Sequence, residues 1–306
     1  MDEVLVLGTS SAFPTKTRNH PAVYVLLDGK HILLDCGEGT QRQIRLSGLS
    51  PSLDSVFLTH WHGDHSLGLG GLIQSLNMMG SDRELHVYGP PGTGKRINRL
   101  LKTYEFYSRI NVMAVDINAP KERRIASFPT HDIFSINVKH VVKCLGYKVK
   151  EKDTLNIRED LLVKYKIKSG PFLKKLKAGK NVVYNGKTLL WKKFTYPKKG
   201  KTFVYLTDLI YDGKLSRFAD GADALLIEST FTSDSEDKAR ESFHLTVKQA
   251  LEIAKAASVK RLYLTHISQR YEDTDKIMKD ATHWKERLKC KFDVSVSQDF
   301  TKIRLS

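Results

Sequence analysis

The stretch of the chain that most restricts its fold is LTHWHGDHSLGL, residues 58–69. An apolar, strand-like run ends there, and four side chains that can bind a metal follow within six positions: His60, His62, Asp64 and His65. Residues i and i+2 of a strand point to the same side, so His60 and His62 can converge on one cation. A glycine permits a sharp turn after them, and Asp64 and His65 then begin a predicted helix, where they can face a second cation. Imidazole and carboxylate groups suit zinc, and packing alone does not explain such an array.

Three further polar residues stand directly after apolar runs that we interpret as buried strands. His140 follows SINVK, Asp208 follows TFVYLT and His266 follows RLYLT. Open α/β folds build their sites at such strand ends. Any one of these residues alone could equally be a cap or a hydrogen-bonded polar group of the core. Together with the array, the three predict a site that holds more than one metal ion.

The remaining pattern predicts an α/β protein. Short β-branched or aliphatic runs predict strands at residues 3–8, 22–28, 31–35, 55–60, 84–89, 202–208, 222–229 and 261–266. Helices are predicted between Gly39 and Gly48, over 67–80, and over 245–258, where apolar residues recur at helical spacing. Because we find no repeat and no low-complexity linker, we expect one domain over residues 1–306, with a basic insertion at 148–188.

The formal net charge of the chain is +16, and it is concentrated in one fifth of the length. Residues 143–201 contain 18 Lys and Arg against 4 Asp and Glu. Lysines suit contacts with phosphates that provide affinity without base readout. A localised patch therefore favours a nucleic-acid partner, and the alternative is a lysine-rich loop that is only solvated.

The cysteines and the apolar runs bear on the compartment. Cys36, Cys144 and Cys290 are widely spaced and odd in number, so we expect neither disulfides nor a thiolate metal site. No apolar run is long enough to span a bilayer, and the first residues, MDEVLVLGTS, lack the basic region of a secretory signal. We therefore expect a cytoplasmic protein with no membrane partner.

The array, followed by a later His, Asp and His, resembles the metal-binding pattern of the metallo-β-lactamase superfamily. Within it, the chain resembles the ribonuclease Z family of tRNA 3′-processing endonucleases over essentially its whole length. FPTKTRN (13–19) is similar to that family's PxKxRN loop, and LLDCGEGTQRQ (33–43) is similar to its strand-turn-helix entry. SGPFLKKLKAG (169–179) resembles the GP and LKxG core of its tRNA-binding arm, and SFHLT (242–246) stands at the place of its HST loop.

The resemblance implies an α/β fold, the metallo-β-lactamase αββα sandwich, with an inserted basic tRNA-binding arm. It also implies two Zn²⁺ ions per chain, although Mn²⁺ fits the same ligands. The ligands implied for the first ion are His60, His62 and His140, and those for the second are Asp64, His65 and His266. Asp208 would bridge the two ions, and such a pair could clamp the attacking and leaving oxygens of a phosphodiester.

The catalytic residues are likewise implied by the resemblance. Asp64 would accept the proton of the nucleophile, and His244, oriented by Glu228, would protonate the leaving ribose oxygen. The expected products are a tRNA with a 3′-hydroxyl and a trailer with a 5′-phosphate. The chain departs from the family twice, because its His-Glu-Ala-Thr run is Ile-Glu-Ser-Thr at 227–230 and its HST is His-Leu-Thr at 244–246. Both changes keep the implied glutamate and histidine.

Contacts with precursor tRNA and a homodimeric state follow from the same resemblance. The residues implied in RNA binding are Lys16, Arg18, Gly170, Pro171, Lys174, Lys175 and Lys177. The lysines would contact phosphates, and the arm would recognise the shape of a folded RNA, whose A-form grooves hide the bases.

Three alternative functions remain at this point. YGPPGTGKR (88–96) resembles a P-loop, but Arg96 stands where Mg²⁺ coordination needs Ser or Thr, so we interpret the segment as a structural turn and expect no nucleotide cofactor. A hydrolase of small thioesters or other phosphodiesters would not need the basic segment. A non-catalytic RNA-binding protein would leave the ligand set without a metal, and buried unpaired carboxylates and imidazoles are costly.

Overall fold

The computed structural model of the protein describes residues 3–80, 83–103, 105 and 110–305. The chain forms two compact units. The first consists of the residues up to Lys150 together with those from Thr202 onward, and the second of Glu151–Lys201.

The first unit contains two β-sheets. One sheet has six strands in sequence order: β1 Glu3–Gly8, β2 Ala22–Leu27, β3 Lys30–Leu34, β4 Ser55–Phe57, β5 Leu85–Gly89 and β6 Val112–Asp116. Strands β1 to β3 are antiparallel, and β3 to β6 are parallel to one another. The carboxyl ends of β3, β4, β5 and β6 therefore meet at one edge of this sheet.

The second sheet has seven strands. They are β7 Arg123–Ser127, β8 His131–Val138, β9 Cys144–Glu151, β14 Thr202–Leu206, β15 Ala224–Glu228, β16 Arg261–Thr265 and β17 Asp293–Val296. Their order across the sheet is β17-β16-β15-β14-β9-β8-β7. Strands β14 to β17 are parallel, and β9 is antiparallel to β14. The carboxyl ends of β14, β15 and β16 therefore lie side by side.

Because side chains alternate between the two faces of a strand, apolar side chains on opposite faces pack in separate layers. In β1, Val4 and Val6 face the second sheet, in one cluster with Tyr147 and Tyr205, whereas Leu5 belongs to the cluster that packs against helices. Successive residues of a strand point to opposite faces, which produces this division. The two sheets thus enclose one core, and each has a second apolar face covered by helices. The predicted αββα sandwich is confirmed.

Helices cover the outer faces of both sheets. Those on the first sheet are α1 Thr40–Ser47, α2 Gly63–Ser66, α3 Gly68–Met78 and α4 Thr93–Thr103. Those on the side of the second sheet are α8 Leu215–Phe218, α9 Glu236–Glu241, α10 Val247–Ala256 and α11 Asp275–Arg287, with a 3₁₀ turn at Ser233–Ser235. Among the described residues, none of the helices is long and apolar enough to cross a membrane.

Most predicted elements of the first unit are present, and the misses have physical causes. Helix α1 lies between Gly39 and Gly48 as predicted, and both glycines are left-handed, with φ of 78° and 72°. Helix α11 was not predicted because only Ile277 and Ala281 of its residues are buried, and most of the others are charged. Strand β6 was not predicted because it is a largely exposed edge strand.

The segment that resembles a P-loop connects β5 to α4. Its backbone amides are occupied by a carboxylate of the protein itself: Asp116 accepts hydrogen bonds from the N–H groups of Gly92 (2.7 Å) and Gly94 (2.9 Å). A phosphate would need these same donors and would meet a negative charge there. This contact supports the interpretation of the segment as a structural turn.

The second unit is built around its own small core. Two hairpin-like ribbons form it, β10 Thr154–Ile157 with β13 Thr195–Lys198 and β11 Val182–Tyr184 with β12 Lys187–Leu189. Three short helices complete it: α5 Glu159–Lys164, α6 Leu173–Lys177 and α7 Trp191–Phe194. Leu176 and Phe194 are buried at its centre. The unit differs in its bounds from the insertion expected at 148–188, because residues 148–150 pair in the second sheet and 189–201 belong to the unit.

Candidate metal centre

The predicted metal ligands lie at the carboxyl ends of strands from both sheets. His60 and His62 follow β4, His140 follows β8, and Asp208 and His266 follow β14 and β16. Both Asp208 (φ 52°) and His266 (φ 58°) adopt left-handed backbone conformations, which turn these residues out of the strand direction. Such conformations cost about 1–3 kcal/mol each in a residue other than glycine and are concentrated at functional sites. The remaining two predicted ligands, Asp64 and His65, lie in α2.

The side chains of the seven predicted ligands converge in two groups, and Asp208, His266 and His244 form a third group of possible ligands. The ligand atoms of the first group lie within 4.8 Å of one another, and its members are His60, His62, His140 and Asp208. The ligand atoms of the second group lie within the same distance, and its members are Asp64, His65 and His266. In the second group the Nε2 atoms of His65 and His266 are 3.3 Å apart. All seven predicted ligands are therefore brought together.

Asp208 lies between the two groups. Its Oδ2 is 3.0 Å from His65 Nε2 and 3.3 Å from His266 Nε2. Its Oδ1 points towards the first group, 3.9 Å from His140 Nε2. One carboxylate oxygen is thus available to each group, which is the arrangement that a bridging ligand requires.

Hydrogen bonds fix the tautomers of four histidines so that Nε2 faces the centre. His65 Nδ1–H donates to Asp35 Oδ2 (2.8 Å), and His140 Nδ1–H donates to the carbonyl oxygen of Phe243 (3.2 Å). His60 and His266 donate through Nδ1–H to the hydroxyl oxygens of Thr59 and Thr230, each at 3.0 Å. A metal-binding histidine typically donates its other N–H in this way. The donor set therefore fits a metal ion.

The burial of His60 also supports the fit of these donors to a metal ion. His60 is fully buried, and its Nε2 has no hydrogen-bond partner among the described residues. An unpaired buried nitrogen is costly in a folded protein unless another group satisfies it. A cation at the centre would satisfy this nitrogen.

The ionisable groups at the site shift one another's pKa values. Burial alone would raise the pKa of Asp208, but His266 and His65 outweigh it and hold that pKa well below the ordinary value. Burial alone would lower the pKa of His65, but Asp208 and Asp64 outweigh it and raise that pKa well above the ordinary value. A ligating imidazole must be neutral, so a cation bound at the centre would oppose the charged form of His65.

The candidate acid and its predicted partner are in contact. His244 Nδ1 lies 3.0 Å from Glu228 Oε2 and 3.7 Å from Asp208 Oδ1. Burial opposes the charged form of His244, but Glu228 outweighs it and raises the pKa of His244 to about 9. Glu228 is fully buried. Glu228 therefore favours the charged form of His244, as the predicted role of an acid requires.

Four polar residues around the ligands were not predicted from the sequence. They are Asp35, Thr59, Tyr205 and Thr230, and each is buried and hydrogen-bonded within the site. Asp35 could have been found, because it stands directly after the apolar run HILL, as the ligands of the later strands do. The other three carry no such signal, since Thr and Tyr are common in strands.

The predicted RNA-binding residues of the first unit differ in their exposure. Lys16 is exposed on the loop that contains FPTKTRN. Arg18 is only 4% exposed, and its Nη2 donates to the carbonyl oxygens of Tyr271 (2.7 Å) and Ser268 (3.3 Å). Its guanidinium thus holds the loop that follows His266, and a contact of Arg18 with RNA stays a prediction.

The predicted RNA-binding residues of the second unit lie in or next to α6. Gly170 and Pro171 form the turn before this helix, where Leu173 N–H donates to the carbonyl oxygen of Gly170 (3.1 Å). The lysines at 174, 175 and 177 belong to the helix itself and are exposed. Their contacts with RNA stay a prediction.

Two protein-family models match parts of the chain. The model described as Anti-Pycsar protein Apyc1 matches residues 3–160. The model described as β-lactamase superfamily domain matches residues 177–267, which contain Asp208 and His266. Together the two matches reach both sheets of the sandwich.

Relatives that match more of the chain are named ribonuclease Z. A ribonuclease Z of Nanoarchaeum equitans is 40% identical over 275 residues, which cover 88% of this chain and 84% of that protein. A ribonuclease Z of Methanothermobacter thermautotrophicus is 38% identical over 285 residues, which cover 92% and 91%. The crystal structure of human tRNase Z, short form, matches with a TM-score of 0.70 and 23% identity over 99% of each chain, a likeness that supports the fold.

We expect Asp208→Ala to lose metal. Without the carboxylate, two cations would repel each other across the centre, so metal affinity should fall by more than the ~10–100-fold that the loss of a ligand's hydrogen-bonding partner causes. The measurement is metal content per chain after dialysis, with Asp212→Ala as the control, because Asp212 lies four residues away and outside both ligand groups. Equal metal content in Asp208→Ala and in the parent protein would contradict the bridging position.

Proposed function

The chain belongs to the ribonuclease Z family and is a metal-dependent endoribonuclease of tRNA 3′ processing, and we propose that it removes the 3′ trailer of precursor tRNA with two Zn²⁺ ions. The observation that carries the two-ion proposal is Asp208, which offers one carboxylate oxygen to each group of ligands. Mn²⁺ fits the same nitrogen and oxygen donors. Family membership excludes a non-catalytic RNA-binding protein, the third alternative that the sequence left open.

The ligand groups suggest how the ions would be held. His60, His62 and His140 would hold one ion, and Asp64, His65 and His266 the other, with Asp208 shared between them. When bound, two such cations neutralise the charge of a phosphodiester and lower the pKa of water. The protein contributes the orientation, because the Nδ1–H bonds fix four imidazole rings before any ion arrives.

Two residues would transfer protons: one accepts a proton from the attacking water, and the other donates a proton to the leaving oxygen. Asp64, whose carboxylate lies 3.4 Å from His65 Nε2 and 3.5 Å from His266 Nε2, would accept the proton of the attacking water. His244, held by Glu228, donates a proton to the leaving ribose oxygen. The products are then a tRNA with a 3′-hydroxyl and a trailer with a 5′-phosphate.

We expect His244→Ala to keep its metal and its affinity for precursor tRNA but to cleave slowly. The loss of a general acid typically lowers the rate by ~10²–10⁴-fold. Single-turnover cleavage of a labelled precursor, with and without a chelator, measures this rate and maps the cut. His283→Ala is the matched control, because His283 is exposed on α11. A rate within about twofold of the parent would exclude His244 as the acid, given that magnitude.

The second unit is the proposed tRNA-binding arm. Residues 151–201 contain 15 Lys and Arg against 4 Asp and Glu. A cavity of about 920 Å³ on this unit is lined by the basic residues Arg158, Lys174 and Lys177, by the acidic residues Glu159 and Asp160, and by Tyr196. Its basic and aromatic side chains suit the phosphates and bases of RNA. The turn at Gly170-Pro171 would set the direction of the lysines of α6, including Lys175.

We expect an enzyme that lacks residues 152–200 to retain its metal centre but to lose affinity for tRNA. The ends of the arm are adjacent, because Glu151 N–H donates to the carbonyl oxygen of Lys201 (2.8 Å), so a short Gly-Ser linker can replace it. Hydrolysis of a small chromogenic phosphodiester should persist, whereas binding of precursor tRNA should weaken and depend less steeply on salt. If both activities fell together, the arm would be part of the folded core. If both survived, tRNA would be held elsewhere.

A homodimer is the proposed assembly. Helix α3 and the residue before it expose large apolar side chains: Leu67 is 65% exposed, Met78 80% and the adjacent Met79 53%. Leu46 of α1 is 58% exposed. Large exposed apolar side chains on two helices that contact each other favour a protein interface. A second copy of the chain is the proposed partner, in the cytoplasm, where the three free thiols would stay reduced.

We expect Met78→Glu to convert the protein into a monomer of 34.8 kDa. A charge placed in an apolar interface is left unpaired when the interface forms, which opposes association. Light scattering during gel filtration measures the molar mass. Met278→Glu is the control, because Met278 is an exposed methionine of α11. An unchanged dimeric mass for Met78→Glu, or a monomeric parent, would refute this interface.

A further inference from the structure

The segment that resembles a P-loop has no part in the function described above, yet it begins a basic helix. Helix α4, TGKRINRLLKT, contains four Lys and Arg residues and no Asp or Glu. Its apolar side, which includes the buried Ile97, packs in the core between the first sheet and its helices. Lys95, Arg99 and Lys102 are exposed on the other side of the helix. We call these three residues the α4 basic face.

The α4 basic face is a row of like charges. Arg99 follows Lys95 by four residues and Lys102 follows Arg99 by three, so the three side chains lie along one side of the helix. From the first to the last, the row covers about 10 Å of the helix axis. A nucleic-acid duplex places a phosphate of each strand every ~3.4 Å along its own axis, so the row has the length of about three phosphate steps.

The stability of the helix does not explain these charges. Lys95 lies in the first turn of α4, where the partial positive charge of a helix N-terminus disfavours a cation, and no acidic residue lies there. Lys95 and Arg99 repel each other at a spacing of four residues. Among the described residues, no carboxylate lies within salt-bridge distance of the charged groups of Lys95, Arg99 or Lys102. Asp116, at the start of the helix, accepts hydrogen bonds from two backbone N–H groups. An anionic partner outside the chain would offset this repulsion.

The start of α4 is in contact with the metal-binding segment. Trp61 stands between two proposed metal ligands, His60 and His62. Its indole N–H donates to the hydroxyl oxygen of Thr93, the first residue of α4 (2.9 Å). The guanidinium carbon of Arg96 lies 5.7 Å from the centre of the Trp61 ring. The basic helix therefore begins beside the segment that carries the first ligands.

The topology of the first sheet sets the direction of the helix. Strands β5 and β6 are parallel, so the connection between them must lead back from the carboxyl ends of the strands to their amino ends. Helix α4 is this connection, and it packs on both strands. Lys95 is therefore the member of the α4 basic face nearest the edge that carries the metal ligands, and Lys102 is the farthest. An RNA that reaches the centre along α4 would contact all three residues.

The composition of α4 suits a duplex better than a single strand. Proteins that hold single strands combine positive charge with aromatic side chains on which bases stack, and α4 contains no aromatic residue. A duplex offers mainly its phosphates and its shape, because A-form grooves hide the base edges. In a precursor tRNA, the strand that carries the 3′ trailer is base-paired in the acceptor stem close to the cleavage site.

We propose that the α4 basic face binds phosphates of the acceptor stem and so holds the stem beside the metal centre. This inference rests on the proposed function and adds to it a second RNA-binding surface, separate in sequence from the arm at Glu151–Lys201. Lys95, Arg99 and Lys102 contact successive phosphates of one strand. Such contacts give affinity and orientation without reading the sequence of the RNA.

The salt dependence of RNA binding tests the proposal. Dissociation constants are measured over a series of salt concentrations for mature tRNA, which has the stem but no trailer, and for the single-stranded trailer. In the variant Lys95→Ala/Arg99→Ala/Lys102→Ala, the slope of log K against log salt for mature tRNA should fall by about two to three, and its affinity should drop roughly tenfold or more. Binding of the trailer should not change. Lys276→Ala/Lys279→Ala is the matched control, because both lysines are exposed on α11.

A second variant separates lost charge from lost folding. Lys95→Arg/Arg99→Lys/Lys102→Arg keeps every charge and should keep the slope of the parent, and all variants should retain the metal content of the parent. An unchanged slope for mature tRNA in the alanine variant would show that the face is only solvated. An equal loss for the trailer, or a loss of metal, would also overturn the stem contact. A parent enzyme that cut no precursor would contradict the proposed function itself, whereas a parent that cuts, with an alanine variant that binds tRNA normally, would contradict this inference alone.

Discussion

The buried carboxylate of Asp35 is the contact on which the metal centre depends. It is fully buried, directly after β3, with a left-handed backbone (φ 59°). It accepts hydrogen bonds from the N–H and the hydroxyl of Thr59, from the hydroxyl of Tyr205 and from Nδ1 of His65. These donors come from both sheets, since Thr59 follows β4 and Tyr205 lies in β14. A buried charge without such donors would cost several kcal/mol.

Glu228 is a second buried carboxylate of the same kind. It accepts from the N–H groups of Leu209 and Leu245, from the hydroxyl of Thr230 and from His244. Each carboxylate orients one histidine directly and a second one through a threonine hydroxyl. Asp35 acts on His65 and, through Thr59, on His60, whereas Glu228 acts on His244 and, through Thr230, on His266.

This arrangement explains why the two departures from the family pattern are tolerated. Ile227 stands where the family has a histidine, and its side chain packs into the core between the second sheet and its helices. Leu245 stands where the family has a serine, and it uses its backbone N–H, not a side chain, to reach Glu228. The groups that bond to the histidines are the ones that the chain keeps. The contact between Glu228 and His244 therefore uses neither the Ile227 nor the Leu245 side chain.

Local sequence determined which residues are candidates for the chemistry, because strand ends and the period of two are local properties. The seven predicted ligands, the helix between Gly39 and Gly48 and the sandwich itself follow from such patterns and from the resemblance that they support. The tertiary structure alone decided which polar groups satisfy one another. Arg18 was predicted to contact RNA, yet it bonds to the backbone of Tyr271, 253 residues away, and Asp35 meets Tyr205 across 170 residues. Arginine and tyrosine look the same in a sequence whether they face solvent or a buried acceptor, and only the packing of the two sheets brings the acceptor to them.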